Sequence, residues 1–408
     1  MNLADFRHLS LTRFLEELSA NDLVWYAKRL SGNDTGLTGA HQAGPYVPRE
    51  FATAALPNIA TTRRFNPTID IPCVVASHDV EKNVKAKYYN SKYFPEHGLK
   101  KKYDEFRLTR WTETPFSDAG NTGSLFVLAA APRCDGLVAW VAKTAEEENQ
   151  IEDWLGIEID PGQTRTGRGL RVKLDNDSRF ARTMPEEWNR RFPSPDDIFE
   201  YVTKRMPHAD ANETVDELLL ARRALEYKVF QCVERKEVEQ ILENGFSSVE
   251  SFFQTANSLL NRRKARSGAS LEKHLALIFR DERICFDEQV TTEQSKRPDF
   301  VFPSATAYHD ANFDSHRLHM LAAKTCCKDR WRQVIHEAER ITPKHLFTLQ
   351  EGISAQQLTE MEEYNVVIVT PRPNVKAFPK EWQPKILDLT AFLNIVREKD
   401  NIPPGASA

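Results

Sequence analysis

Two charged residues, Asp299 and Lys324, lie at the ends of apolar segments that are typical of buried β-strands. Asp299 precedes F-V-F in the stretch R-P-D-F-V-F-P-S, and Lys324 ends the stretch R-L-H-M-L-A-A-K. If the two segments pair in one sheet, the carboxylate and the ammonium group come together. The alternative for Asp299 is an ordinary turn, because Pro-Asp is common in turns.

A Pro-Asp followed by a strand that ends in Lys resembles a large nuclease superfamily, in which two carboxylates hold Mg²⁺ at the scissile phosphate. That signature has an acidic residue two positions before the lysine, whereas this chain has Ala322. Glu337 is the candidate replacement, because restriction endonucleases that read C-C-containing sites use a glutamate displaced in this way. Mg²⁺ prefers hard oxygen ligands. The resemblance therefore predicts a metal held by Asp299 and Glu337, with Lys324 near the attacking water.

Glu337 lies in D-R-W-R-Q-V-I-H-E-A-E-R, which is typical of a helix over 329–341. The alternative makes Glu337 a surface helix residue paired with Arg340 or Arg332. Glu339 competes for the ligand role, but it would lie about 200° round the helix from Glu337. The absent acid at position 322 favours Glu337 as the ligand.

Composition excludes several classes of protein. Hydrophobic residues make up 40% of the 408 residues, no apolar run approaches a membrane span, and the first residues lack a secretory pattern. The six cysteines show no C-x-x-C spacing, which argues against a zinc site or a disulfide framework. We therefore expect a protein of a reducing cytoplasm with no membrane partner.

Basic residues cluster in three places although the net charge is −4. Residues 81–110 hold nine Lys or Arg against four Asp or Glu, and shorter clusters span Arg262–Arg266 and Lys328–Arg332. Each cluster alone is more often a solvated surface. Three clusters with aromatic residues among them favour nucleic-acid binding, and the second makes Arg263 and Lys264 candidate DNA contacts.

The chain changes character along its length. Residues 20–145 alternate short apolar runs with turn sequences, which predicts a mainly β domain, a barrel. A helical and strand-forming part follows, which predicts an α/β sheet domain. We predict a domain at 1–175, a linker at 176–187 and a second domain at 188–408. Helices are predicted at 212–243, from Ser247 (through a capping box to Glu250), from Ser270, at 329–341 and at 354–363. Strands are predicted at 284–290, 299–303, 318–324, 345–349 and 366–369.

Long motifs identify a family. R-P-D-F-V-F-P-S-A-T-A-Y-H-D, K-T-C-C-K-D-R-W-R-Q, H-L-F-T-L-Q-E-G and, nearer the N-terminus, K-R-L-S-G-N-D-T-G-L-T-G-A-H-Q-A-G resemble the EcoRII-type restriction endonucleases. The resemblance implies a B3-like DNA-binding pseudobarrel before an α/β restriction-endonuclease-like domain, in a Mg²⁺-dependent homodimer. It also implies cleavage of double-stranded DNA at CCWGG before the first cytosine, activation by a second site (type IIE behaviour), and a cognate DNA methyltransferase.

The family pattern adds residues to the catalytic domain. Glu272 matches an additional acidic residue, although a first-turn glutamate favoured by the helix dipole is equally consistent. Tyr308 falls in A-Y-H-D and is expected at the active site, or else is a loop tyrosine. The family's base-reading segment matches Lys328, Asp329 and Arg330, whose side chains suit guanine O6 and N7 and cytosine N4; the alternative is a charged helix start.

Arg223 and Tyr227 lie four residues apart, and hence on one helix face. Relatives with an odd central base pair flip those bases and stack them on such a pair; the alternative is a core tyrosine beside a surface arginine. In the N-terminal domain, the family's effector-DNA positions correspond to His41, Tyr46, Lys92, Glu105 and Arg107.

Two departures bear on the effector residues. The insert G-L-K-K-K-Y-D lengthens the basic loop, and Phe106 replaces an expected lysine. Cys326 also replaces a threonine shortly after the catalytic lysine. The alternative to an endonuclease is a non-catalytic DNA-binding regulator. Such a protein would have no reason to keep Asp299, Lys324 and Glu337 together.

Overall fold

The computed structural model gives two compact units, which are described separately. The first comprises Met1–Lys173, Gln350–Leu358 and Lys376–Gln383, and the second comprises Leu174–Leu349, Thr359–Val375 and Pro384–Ala408. The structure describes residues 3–39, 44–97, 104–130, 136–155, 159–169, 171–172, 184–189, 191–208, 214–327 and 330–400.

The first unit is built on one mainly antiparallel sheet with the strand order β2-β5-β4-β3-β7-β6-β1-β8-β9. Only β3 and β7 pair in parallel among its described strands. The strands are β1 (Val24–Arg29), β2 (Tyr46–Val47), β3 (Thr68–Val75), β4 (Val80–Tyr89), β5 (Glu105–Thr109), β6 (Leu125–Ala130), β7 (Leu137–Val141), β8 (Thr164–Arg168) and β9 (Arg171–Val172).

This sheet curls around an inner core. One buried cluster draws residues from seven strands, from Val47 on β2 to Tyr26 on β1. The helix α2 (Arg49–Ala55) contributes Phe51 to the same core. The helices α1 (Leu11–Ala20) and α3 (Ala145–Leu155) cover the outer face through a second cluster. The sheet is therefore an open pseudobarrel, as the sequence predicts.

The second unit contains a five-stranded sheet of order β10-β11-β12-β13-β14. The first three strands pair antiparallel and the last three pair parallel, so β12 takes part in both patterns. The strands are β10 (Asp287–Glu288), β11 (Phe300–Phe302), β12 (His319–Lys324), β13 (Lys344–Thr348) and β14 (Val366–Val369). The helices that follow α3 in the chain are α4 (Pro195–Arg205), α5 (Val215–Asn244), α6 (Val249–Asp281), α7 (Ala305–His309), α8 (Trp331–Val334), α9 (Ala355–Glu363), α10 (Arg372–Val375) and α11 (Leu389–Asp400).

The long helix α6 packs its C-terminal half against this sheet. Leu271, Leu275 and Ile278 are buried at helical spacing in one core with Phe300 and Leu321. Truncating a fully buried leucine such as Leu275 to alanine costs about 2–5 kcal/mol, because it leaves a cavity. This packing fixes the face of α6 that passes the sheet edge.

Several predicted elements differ from the structure. The helix predicted over 329–341 is only α8, and Glu337 lies in a turn beyond it, so the argument from angles around one helix was wrong. The strand predicted at 284–290 shrinks to β10 because Gln289 adopts a left-handed conformation with φ 51°.

The helices predicted from Ser247 and from Ser270 are the single helix α6. Its N-cap is Ser248, whose Oγ accepts a hydrogen bond from the amide of Ser251, rather than Ser247. The other predicted strands of the second unit and the helix at 354–363 are confirmed to within two residues.

The mixed fold class is confirmed, with a pseudobarrel first and an α/β sheet second. The proposed boundaries at 175 and 188 stay predictions, since residues 176–183 of the predicted linker lie outside the described residues. No described helix is long and apolar enough to cross a membrane. Five of the six cysteines are described, and all five are free thiols.

Candidate active site and DNA-binding face

Asp299 and Lys324 meet at one edge of the second sheet. Because β11 and β12 are antiparallel, the residue that precedes β11 lies beside the end of β12. Asp299 is 7% exposed, and its Oδ2 accepts hydrogen bonds from Lys324 Nζ at 3.1 Å and from the amide of Ala323 at 2.8 Å. The charged pair expected from sequence is therefore present.

Glu337 joins this pair electrostatically. Its carboxyl is buried enough to raise its pKa to about 7; the charge on Lys324 opposes this shift and the charge on Asp299 adds to it. The Glu337 Oε2 atom is buried and has no hydrogen-bond partner among the described residues. Arg340 instead donates to the carbonyl oxygens of Tyr308 and Phe313, and no ion pair of Glu337 is found among the described residues. The surface-pair alternative for Glu337 was therefore wrong.

The turn that carries Glu337 is anchored from two sides. Lys344 Nζ donates to the carbonyl oxygens of Ala338 and Ile341 at 2.8 and 3.0 Å. The amide of Ala338, a residue with φ 48°, donates to Thr292 Oγ1 at 3.4 Å. These contacts compete with helical hydrogen bonds, which explains why α8 ends before Glu337.

Glu272 reaches the same place from α6. Gln289 Nε2 donates to Glu272 Oε2 at 3.3 Å and to Asp299 Oδ1 at 3.0 Å, so one amide connects the two carboxylates. Burial raises the pKa of Glu272, and the negative charge of Asp299 raises it further. We call Asp299, Lys324, Glu337 and Glu272 the charged cluster.

Among the described residues, no hydrogen bond joins Tyr308 to the charged cluster. Its hydroxyl donates to Glu293 Oε2 at 2.5 Å, and the same oxygen accepts from the amide of Glu339 at 3.1 Å. Tyr308 is 1% exposed. It therefore supports the turn after Glu337, and the expectation that it acts on the substrate is not supported by its position.

The segment 289–298, which we call the bridging loop, makes these connections. Gln289 bonds to Asp299, Thr292 bonds to Ala338, and Glu293 bonds to Tyr308 and Glu339. Two neighbouring elements of the charged cluster, the start of β11 and the turn at Glu337, are thus held by one loop.

The donor set fits a hard divalent cation. Asp299 lies close enough to Glu337 for its charge to raise the pKa of the glutamate, and the orphaned Glu337 Oε2 is a buried carboxyl oxygen that a cation would satisfy. No group of three or more metal-holding side chains occurs among the described residues. Mg²⁺ needs no such group, because it is bound by one or two carboxylates together with waters and substrate phosphate.

The predicted base-reading segment is only partly described. Lys328 and Asp329 lie outside the described residues, as do the side chains of Arg263 and Lys264. Arg330 is exposed at the N-terminus of α8, six residues after Lys324. An exposed guanidinium this close along the chain to the charged cluster suits contact with a base edge next to the scissile phosphate.

Arg223 and Tyr227 are buried, with 6% and 9% exposure. Arg223 donates to Ser270 Oγ at 3.0 Å, Ser270 donates to Glu226 at 2.9 Å, and His274 Nε2 lies 2.6 Å from the same Glu226 oxygen. In this conformation the pair is not presented to solvent, so stacking on flipped bases would require a side-chain rearrangement.

The first unit has a basic face on β2, β4 and β5. Arg107 on β5 lies opposite Tyr46 on β2 and, across its other edge, opposite Lys87 on β4. The alternating residues Phe106 and Tyr88 point into the core. Lys87 Nζ lies 4.4 Å from the ring centre of Tyr89. The basic face comprises Tyr46, Lys85, Lys87, Tyr89 and Arg107, and the acidic Glu105, opposite Tyr89, lies on the same side of the sheet.

Among the predicted effector residues, Tyr46 and Arg107 lie on the basic face and His41 is outside the described residues. Glu105 pairs with Arg107 at 3.3 Å, and Lys92 pairs with Asp104. Lys85, Lys87 and Tyr89 were not named as effector residues, although both lysines belong to the basic cluster at 81–110. Their alternation with Val84, Ala86 and Tyr88 was the available signal, since every second residue of a strand shares a face.

Parts of the chain are similar to solved structures. Metal-depleted Ecl18kI in complex with uncleaved, modified DNA covers 55% of this chain and 84% of its own, with 21% identity and a TM-score of 0.43. The B3 domain of the UbaLAI restriction endonuclease with cognate DNA covers 39% of this chain and 98% of its own, with 19% identity and a TM-score of 0.27.

Sequence comparisons are more extensive. The family models described as "Restriction endonuclease EcoRII, N-terminal" and "EcoRII C terminal" match residues 19–168 and 230–393. The type II restriction enzyme SsoII of Shigella sonnei is 28% identical over 156 residues, which are 36% of this chain and 50% of SsoII. The type II restriction enzyme EcoRII of Escherichia coli is 40% identical over 393 residues, which are 93% of this chain and 95% of that protein. The chain therefore belongs to the EcoRII family of type II restriction enzymes.

Proposed function

We propose that this chain is a Mg²⁺-dependent endonuclease that hydrolyses both strands of double-stranded DNA at CCWGG. The observation that carries the proposal is the charged cluster, in which a buried aspartate, a lysine and a glutamate with an orphaned oxygen converge. A purely structural ion pair would leave no negative atom buried without a partner.

Asp299 and Glu337 would hold the cation, which when bound would stabilise negative charge at the phosphate and acidify a coordinated water. Asp299 is fixed in orientation, because Ala323 and Lys324 both donate to its Oδ2. The Lys324 ammonium, with its side chain 22% exposed, is available to hold an attacking water and to stabilise the charge on the scissile phosphate. Hydrolysis then joins the water oxygen to phosphorus and breaks the phosphodiester bond.

Base reading is assigned to Lys328, Asp329 and Arg330, which follow the catalytic lysine closely in the chain. Arginine and lysine can bond guanine O6 and N7, and aspartate can accept from cytosine N4. The short separation would couple recognition of the C-C half-site to the position of the cleaved bond, before the first cytosine. Arg223 and Tyr227 would stack a flipped central base after leaving their buried contacts.

A homodimer follows from the proposed reaction. The described residues of one chain contain one charged cluster, whereas a nearly palindromic site has one target phosphodiester bond in each strand. Two chains related by a two-fold axis would cut both strands. The enzyme would act in the bacterial cytoplasm, where a cognate methyltransferase would protect the host's own sites.

The first unit is proposed to bind a second copy of the site through the basic face, with His41 and Lys92 as further contacts. Lysine and arginine supply the attraction to phosphates, and the aromatic side chains supply contacts to sugars and bases. Binding there would relieve an inhibition that the first unit imposes on cleavage. An effector can do so only through its higher affinity for the active form.

Digestion of plasmid DNA in Mg²⁺, followed by sequencing of the fragment ends, tests the proposal. We expect discrete fragments with five-base 5′ overhangs that begin at the first cytosine of CCWGG. The competing function is a regulator that binds DNA without cutting it. Retarded but intact plasmid at every enzyme and Mg²⁺ concentration would support the regulator and contradict the endonuclease.

A further inference from the structure

Gln289 is the residue that connects two carboxylates brought from distant parts of the chain. Glu272 belongs to α6 and Asp299 immediately precedes β11. The Gln289 Nε2 atom lies 3.3 Å from Glu272 Oε2 and 3.0 Å from Asp299 Oδ1. Within the charged cluster, this amide is the hydrogen-bonded link between the two acids.

The backbone of Gln289 is held in place as well. Its amide donates to the carbonyl oxygen of Asp299 at 3.1 Å, directly after the short pairing of β10 with β11. Its φ of 51° lies in the left-handed region, which residues other than glycine seldom adopt. That conformation turns the side chain of Gln289 back towards Asp299 instead of continuing the edge strand.

We propose that Gln289 is a positioning residue that ties Glu272 to Asp299 and so lets the helix α6 contribute a carboxylate to the cation site. Two carboxylates repel each other, and a shared donor offsets that repulsion. Without the amide, Glu272 is a half-exposed helix side chain free to turn to solvent. The inference rests on the proposed endonuclease function and deepens it.

The geometry also predicts that the binding of one cation depends on Gln289 more than the binding of another. Mg²⁺ demands near-octahedral ligand positions, whereas Ca²⁺ accepts irregular sites with longer bonds. Loss of a residue that fixes one carboxylate should therefore weaken Mg²⁺ binding more than Ca²⁺ binding. Partners that orient metal ligands typically change affinity by about 10–100-fold when removed.

The test measures cation binding without turnover, on the full-length protein in the absence of DNA. Free Mn²⁺ is followed by electron paramagnetic resonance, with Mg²⁺ or Ca²⁺ as the competitor. Gln289→Met should weaken Mg²⁺ binding by about tenfold or more and Ca²⁺ binding by less than about threefold. Gln289→Gly removes the same amide and suits the left-handed backbone, so it should give the same result even if Gln289→Met folds poorly.

Gln294 offers a matched control. It also has a left-handed backbone, with φ 54°, and its amide also donates to a carboxylate, Glu339 Oε1 at 3.4 Å, outside the charged cluster. Gln294→Met should leave both affinities unchanged. If Gln294→Met lowers Mg²⁺ affinity as much as Gln289→Met does, the effect comes from the bridging loop in general and the assignment to Gln289 is overturned.

A double-mutant cycle then shows whether Gln289 acts through Glu272. In the Glu272→Gln background, Gln289→Met should change Mg²⁺ affinity by less than about twofold, because the group that it positions has already lost its charge. Full additivity would overturn the proposal. If the wild-type protein cuts DNA and the Gln289→Met variant binds Mg²⁺ normally, the role of Gln289 is refuted while the endonuclease function stands. If the wild-type protein neither binds Mn²⁺ nor cuts DNA, the endonuclease function is overturned as well.

Discussion

The charged cluster and the basic face present charge in opposite ways. In the charged cluster, Asp299 is buried and Glu337 is half-buried. Hydrogen bonds from Ala323 and Lys324 fix the Asp299 carboxylate, and contacts from Thr292 and Lys344 anchor the turn that carries Glu337. On the basic face, Lys87 and Arg107 are half-exposed, and the register of neighbouring strands sets their spacing. The first arrangement suits chemistry at one atom, and the second suits attraction to a charged backbone over a wider area.

Removal of Glu337 should have the largest effect. Glu337→Ala should lower the cleavage rate by roughly a thousandfold, because the cation at the scissile phosphate would lose a carboxylate ligand. Specific DNA binding should persist, since base reading is assigned to 328–330. Single-turnover cleavage and a binding titration in Ca²⁺ measure the two effects. Glu339→Ala is the matched control, and normal cleavage by Glu337→Ala with loss in Glu339→Ala would show that the wrong glutamate was assigned.

Coupling between the two units should appear as a difference between a fragment and the full-length protein. A fragment of residues 187–408 should cut a plasmid with one CCWGG site at least about tenfold faster than the full-length protein. Added short duplexes that carry the site should accelerate the full-length protein only. Equal rates for the two proteins, with added duplex acting only as a competitor, would contradict an effector role for the first unit.

Arg330 and Lys87 separate base reading from phosphate attraction. Arg330→Ala should reduce discrimination between cognate and random DNA by about 1–3 kcal/mol, because a bidentate guanine contact is lost. Lys87→Ala should weaken binding to every sequence and reduce the salt slope of the first unit by about one. Competition binding at several salt concentrations measures both. Equal losses on cognate and random DNA for Arg330→Ala would make it a phosphate contact.

Tyr308 should behave as a support for the charged cluster. Tyr308→Phe removes the hydrogen bond to Glu293 and should lower the free energy of unfolding by about 1 kcal/mol. Cleavage should fall by about tenfold at most, because Glu293 still accepts from the amide of Glu339. Urea unfolding and single-turnover cleavage provide the two values. A cleavage loss as large as that of Glu337→Ala would make Tyr308 a catalytic residue after all.

His274 should give the smallest effect, through pH. Burial lowers the pKa of this imidazole below its usual value, and its buried Nδ1 has no partner among the described residues, as fits the neutral form. The unfolded chain therefore binds the proton more readily, so stability is present above about pH 6.5 and is lost as the pH falls below it. Urea unfolding at pH 7 and pH 5 should show this loss, and His274→Gln should reduce it. An unchanged pH dependence in the variant would contradict the assignment.

The sequence predicted the parts of the fold that local patterns determine. The apolar runs of β11 and β12 have strand character in their own residues, and antiparallel pairing then brings Asp299 to Lys324. Glu337 lies near Asp299 and Lys324, as the sequence predicted, but the helical geometry used to select it was wrong. The helix expected to carry it ends at Val334, because Thr292 and Lys344 capture backbone groups of the turn.

Other features depend on tertiary contacts that leave no local pattern. A separate helix was predicted to begin near Ser270, yet α6 continues through this position, since Leu271 and Leu275 extend one buried stripe against the sheet. Nothing in the sequence around Gln289 marks it as part of the charged cluster. Its role comes from a left-handed backbone and from two carboxylates that other elements deliver.

The bridging loop has a consequence for how the family can diverge. Its other exposed positions can change residue type freely, because the contacts described above involve Gln289, Thr292 and Glu293. Its length cannot change as freely, because one inserted or deleted residue would displace the start of β11 and the turn at Glu337 in a single step. We expect natural variants to accumulate substitutions in this loop while insertions and deletions fall elsewhere on the surface.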